Sequence, residues 1–125
     1  MIQLSMKKIK IGFGNKEFEI EAKEVSAVGK ITGLMFRTKN TKNLLFDFKK
    51  QSSMAIHSFF VFFPFLGIWL DNKNSVVEYK VINPFTFKVK PKKPFSRLLE
   101  IPLNDKNKSL INFIVGKERF KYTLS

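Results

Sequence analysis

His57 is the only histidine in a chain of 125 residues that contains no cysteine. Acid–base or nucleophilic chemistry would therefore have to be organised around one imidazole. Ser58 follows it directly, but neighbouring residues of a strand point to opposite faces, so the two cannot form a nucleophile–base pair. No G-x-S-x-G elbow presents another serine. The absence of cysteine removes disulfides, thiolate zinc sites and cysteine nucleophiles. A single histidine removes His-rich metal sites, and the ten carboxylates are scattered. The expectation is a protein that is not an enzyme and carries no cofactor and no metal. His57 then reads as a ligand contact or, more simply, as a structural histidine at a strand end. Glu17, Glu19 and Glu21 could gather a cation, but a solvated strand face gives the same spacing. Gly12-x-Gly14 starts like a phosphate loop but lacks the third glycine. The "GFG" there is not followed by the second aromatic pair of an RNA-binding strand.

The chain carries 23 basic against 10 acidic residues, a formal charge of +13. Such a surplus attracts polyanions, whether nucleic acid or an acidic membrane surface. Only Arg37, Arg97 and Arg119 are arginines. Arginine is the residue suited to bidentate phosphate and guanine contacts. A lysine surplus in a chain also rich in Asn, Ile and Phe favours a compositional origin, or at most sequence-independent attraction. The candidate polyanion contacts are Lys88, Lys90 and Lys92 on one face of a predicted strand, with Lys93 beside them. Lys7-Lys8 and Lys49-Lys50 would extend the patch.

These residues need elements to position them, and the pattern is mostly one of short strands. "KIKIGFGNKEFEIEA" alternates apolar and polar residues on both sides of Gly14-Asn15, which predicts a hairpin. "SAVGKITGLMFR" predicts one short helix near residues 25–36, with Ser26 as cap and Val28, Ile31, Leu34 and Met35 on one face. Gly29 and Gly33 each weaken it by about 1 kcal/mol relative to alanine. "NLLFDF", "SVVEYKVI", "FTFKVK" and "SRLLEIPL" predict strands, with Phe85, Phe87 and Val89 of the third pointing inward. "KKQSS" and "NDKNKS" predict loops, and "LINFIVGKERFKYTL" a closing turn and strand. Strands at this spacing with one helix indicate a mainly β sandwich or barrel, in one domain spanning residues 1–125.

The stretch "SMAIHSFFVFFPFLGIWLD", residues 53–71, is apolar, Pro or Gly throughout from Phe59 to Leu70. A membrane helix needs about 20 such residues, and Pro64 and Gly67 would interrupt it. One straight strand would run about 40 Å, too long for a small sandwich. Two core strands joined near Phe63-Pro64-Phe65 fit better, since proline lacks a ladder donor. The N-terminal "MIQLSMKKIKIGF" has no apolar region of signal-peptide length, so the expected location is cytoplasmic.

"GLMFR" (residues 33–37), "IHSFFVFFPFLGIWLD" (56–71) and "LLEIP" (98–102), in this order, carry a family likeness. The chain resembles the domain of unknown function 192 family, also called uncharacterised protein family 0127, in its archaeal form, roughly from Phe18 to the end. The resemblance implies a compact β sandwich or barrel of jelly-roll type, with a helix carrying the Gly-Leu-Met stretch, and no established enzymatic activity. The matching positions are Gly33, Leu34, Met35, Arg37, His57, Phe59, Phe60, Pro64, Leu70, Asp71, Pro84, Glu100 and Pro102. Departures stand at Val61-Phe62, Phe65-Leu66 and Gly116-Lys117, where family members usually have Met-Arg, Ile-Asp and Gly-Asp. In a hairpin turning at Pro64, Phe62 and Leu66 would meet, an apolar pair in place of an Arg–Asp pair.

Two functional expectations follow. The first is a non-enzymatic β module that binds a small ligand or a protein partner through an aromatic-lined groove. Its candidate residues are His57, Arg37, Met35, Trp69 and Glu100. The second is sequence-independent binding of RNA or an acidic surface through the lysine-rich face.

Overall fold

The computed structural model describes residues 6–26, 34, 37–56, 61–86 and 88–116. The strands are β1 (Met6–Phe13), β2 (Lys16–Ser26), β3 (Leu44–Ser52), β4 (Phe65–Leu70), β5 (Val76–Ile82) and β6 (Phe95–Pro102), followed by helix α1 (Lys108–Val115). The fold is mainly β with one short helix. All six strands belong to one sheet in the order β1-β2-β3-β6-β4-β5. β2 and β3 run parallel, and every other neighbour is antiparallel. The sheet curls until its two margins touch, where Gly12 bridges Ser75. The described strands thus form a curled half-barrel and do not divide into two facing sheets.

The alternation legible in the sequence sets the curl. In β1 and β2 the expected hairpin turns at Gly14-Asn15, with Gly14 at φ 64°, a conformation glycine adopts without a Cβ penalty. Ile11, Ile20 and Ala22 face inward and meet Leu45, Leu66, Ile68, Leu70, Leu99 and Ile101 from the other strands. Helix α1 closes this interior with Leu110, Ile111 and Ile114. Those three lie on one helical face, so the helix fills the barrel as a plug. Asn104 caps the 3-10 turn before the helix by accepting the Asn107 N–H at 3.1 Å.

A second core lies on the outer face of the sheet. Phe46, Phe65, Trp69, Ile82, Phe95 and Leu98 are covered there by Leu34, Ile56, Val61, Phe63 and Val89 from the connections. Val89 pairs with Ile56 through two backbone hydrogen bonds of 2.7 and 2.8 Å. Being covered on both faces accounts for the uninterrupted apolar run of β4, in which every residue is buried.

Several expectations are corrected. The apolar stretch does not run as a strand up to Pro64: residues 61–64 form a non-strand strap over the outer core, β4 is the strand among its described residues, and residues 57–60 lie outside them. Phe62 and Leu66 do not pair, because Leu66 is sealed inside the barrel whereas Phe62 is 57% exposed and packs on Phe85. Residues 25–26 end β2, and Leu34 lies in a turn; the rest of the predicted helix lies outside the described residues, apart from residues 34 and 37. The described helix is instead α1, in the run read as a closing strand. "KKQS" is not a loop but continues β3, past a register shift between Asp47 and Ser52.

Candidate functional site

The five residues expected to bind a small ligand divide into two sealed side chains, one exposed side chain and two outside the described residues, His57 and Met35. Glu100 stands on the outer face of β6 between Gly67 of β4 and Leu44 of β3. It is 4% exposed. Burial pushes its carboxyl up to about 8, well above the usual carboxylate range. Trp69, two residues along from Gly67 on the same face, is fully buried, and its indole N–H has no hydrogen-bond partner. A Cβ on Gly67 would lie 3.0 Å from Ile82 Cδ1 and 3.3 Å from the Trp69 ring. Trp69 and Glu100 therefore share the covered outer face of two central strands, β4 and β6, and line none of the open cavities described below. Arg37 is exposed, and its amide donates to the Leu34 carbonyl at 3.2 Å.

The lysine face is built differently from its sequence reading. The described residues among 85–90 are not a strand but a turn followed by the single Val89–Ile56 bridge. β5 ends at Ile82, before Asn83-Pro84, and the Thr86 hydroxyl donates to the Asn83 carbonyl at 2.7 Å. Phe85 sits at the tip with φ 60°, which turns its ring outward rather than inward, and it is 53% exposed. Phe87 lies outside the described residues. Because Val89 points into the outer core, Lys88 and Lys90 on either side of it point to solvent.

Lys80 of β5 completes the face. Its ammonium donates to the Lys90 carbonyl at 3.0 Å and pairs with Glu78 at 3.3 Å, while Glu78 Oε1 accepts the Lys92 amide at 2.9 Å. These contacts pin the connection against β5 and leave a groove of about 540 Å³ lined by Lys80, Lys88, Lys90, Asn83 and Thr86. Lys92 and Lys93 are exposed further along but do not line it. No described residue forms an ion pair with Lys88, Lys90, Lys92 or Lys93. Phe62 meets Phe85 edge to face, with ring centroids 5.6 Å apart at 66°.

Two other cavities are structural in character. One of about 480 Å³ at the barrel end is lined by Glu19, Glu21, Asn43, Asn104 and Asn107 among others. The three asparagine amides there hold the backbone carbonyls of Glu21, Lys39 and Pro102. The other, about 470 Å³, surrounds Asp47 and Arg97. Among the described residues no group of three His, Cys, Asp or Glu side chains could hold a metal ion. No described helix is long and apolar enough to cross a membrane.

A family model described as "Uncharacterized ACR", DUF192, matches residues 9–112. The chain belongs to the DUF192 family. The match begins before Phe18 and stops short of the C-terminal residues. The DUF192 chain has the fold of a crystal structure from Sinorhizobium meliloti 1021, described as a "putative transcription regulator". That likeness has a TM-score of 0.72 at 13% identity, covering 88% of this chain and 89% of the other. It likewise resembles a protein of unknown function from Novosphingobium aromaticivorans DSM 12444, with a TM-score of 0.69 at 14% identity, covering 86% and 79%. No curated protein matches.

Sequence reasoning missed Lys80 as a lining residue of the groove and the contact between Phe62 and Phe85. Asn83-Pro84 already marked the break that releases Phe85 from a strand. The approach of Phe62 depends on the strap over the outer core, which has no local signature.

Proposed function

We propose that this DUF192 protein is a non-catalytic binding module whose partner is a polyanion held in the Lys80–Lys88–Lys90 groove. The observation that carries the reading is that three lysines line one concavity, two of them, Lys88 and Lys90, exposed and without a described counter-charge. A low-dielectric wall with like charges around it focuses the field and concentrates anions. The small-ligand reading through an aromatic-lined groove has less support, since Trp69 and Glu100 are enclosed. A nucleic-acid partner would accord with the description of the Sinorhizobium protein, with which this chain shares a fold.

The test is binding of heparin across a salt series. Affinity should fall as salt rises, with a log–log slope of about −1.5 to −2 for the two ammonium groups without a described counter-charge. Lys88→Ala/Lys90→Ala should weaken binding and flatten the slope. No binding at low salt, or binding unchanged in that variant, would overturn the reading.

A further inference from the structure

The exposed Phe62–Phe85 pair joins the lysine groove through the chain, Phe85 falling between the lining residues Asn83 and Thr86, and we propose that the two together bind single-stranded nucleic acid, with bases stacking on the rings and the phosphate backbone in the groove. This rests on the polyanion reading and names its partner.

Isolated exposed apolar residues are ordinary on protein surfaces. Three observations separate this pair from that background. The rings come from separate segments, the strap before β4 and the turn after β5, and are more than half exposed while touching each other. Phe85 is held at φ 60°, uncommon for a bulky side chain, in a turn closed by the Thr86–Asn83 hydrogen bond. Backbone strain of this kind concentrates at functional positions. Finally, Phe85 lies between Asn83 and Thr86 in the chain, and both line the lysine groove.

The chemistry selects the partner. Sequence-tolerant single-strand binders combine a basic groove that follows the phosphates with aromatic faces on which bases stack. A duplex keeps its base faces stacked internally and could use only the lysines. A polysaccharide sulfate likewise has no aromatic face to offer. An acidic bilayer would take the rings, but here the lysines form a concavity walled by Asn83 and Thr86, which suits a polar backbone that enters the groove. Base-edge reading is not expected from a face that holds lysines and no described arginine.

The experiment compares binding of fluorescein-labelled oligo(dT), the corresponding duplex, heparin, and phosphatidylserine-containing vesicles to the full chain and two variants. Oligo(dT) should bind more tightly than the duplex. Phe62→Ala/Phe85→Ala should weaken oligo(dT) binding by about ten-fold or more per ring while leaving heparin binding unchanged. Lys88→Ala/Lys90→Ala should weaken both. Phe62→Leu/Phe85→Leu, which retains apolar bulk but removes the π face, should reproduce the alanine effect and guards against misfolding. Unchanged oligo(dT) binding in both phenylalanine variants overturns the stacking proposal but leaves the polyanion reading standing if heparin still depends on the lysines. Ring-dependent vesicle binding without oligo(dT) binding assigns the face to membranes and also overturns it. Failure to bind heparin and oligo(dT) alike overturns both.

Discussion

Gly12 and Asn74 join the two margins of the sheet: the Gly12 amide donates to the Asn74 carbonyl at 2.9 Å. Asn74 is kept in place by Arg97, whose guanidinium reaches its side-chain oxygen at 2.8 Å, the Asn72 carbonyl at 3.2 Å and Asp47 at 3.2 Å. Asp71 shapes the same turn by accepting the Lys73 and Ser75 amides. Arg97→Ala removes the link between β3, β6 and this turn. It should destabilise by about 1–3 kcal/mol in urea unfolding, since a carboxylate and a carbonyl lose a charged donor.

The same clasp has an acid signature. Burial raises the Asp47 carboxyl, but the Lys49 amide, the Arg97 hydrogen bond and the charges of Arg97 and Lys49 outweigh it and hold the group below its ordinary 3.8. A depressed carboxylate contributes stability that is complete above the unfolded value and is lost as pH falls through the folded one. Arg97→Ala should therefore lose less stability than the wild type between pH 4 and strongly acid conditions, measured as the pH dependence of the unfolding midpoint.

Glu100 has the opposite sign. Its folded carboxyl titrates near 8 against an ordinary 4.5, so between those values the folded protein holds a proton that the unfolded chain has lost. Stability falls with rising pH across that window. Glu100→Gln removes this dependence. The midpoint of the variant relative to wild type should rise steadily from pH 5 to pH 8 and stay level below pH 4. Parallel profiles would show that the carboxyl is not protonated.

Gly67→Ala should destabilise by about 1–3 kcal/mol through overpacking. The added carbon meets the Trp69 ring and Ile82, both enclosed in the outer core. A thermal unfolding scan with near-ultraviolet dichroism should show both a lower midpoint and an altered tryptophan signal.

Ile111→Ala opens a cavity where α1 plugs the barrel. Ile111 is fully buried, so the loss should be about 2–5 kcal/mol by chemical denaturation. An exposed substitution on the same helix, Ser109→Ala, should change stability by less than about 0.5 kcal/mol.

Period-two alternation made β1 and β2 legible, because each turns one face to the barrel interior, whereas β6 was read as a strand without it, having apolar residues in both cores. β4 was legible as buried but not as a single strand, since a run apolar on both faces has no period to mark its end. The strap that precedes it has apolar residues for a different reason: Val61 and Phe63 cover a sheet face without pairing. α1 was missed because "LINFIVG" is short and apolar, and only its docking on the barrel interior distinguishes i, i+4 contacts from a buried strand. At the candidate site, Lys88 and Lys90 were legible as neighbours of an inward Val89. Lys80 and Phe62 were not, since their approach is set by the covering connections rather than by local pattern.

The incomplete closure at Gly12 and Ser75 gives part of the positive charge a second use. Beyond that bridge, no described residue forms a ladder with the outer margins of β1 or β5. Unpaired margins are templates on which another copy of the chain could add its own strand, and lysine is a common deterrent there. β1 carries Lys7, Lys8 and Lys10, and β5 carries Lys80. β1 carries no carboxylate of its own, whereas Lys80 of β5 is paired with Glu78, so the lysines oppose addition of a further strand chiefly at the β1 margin.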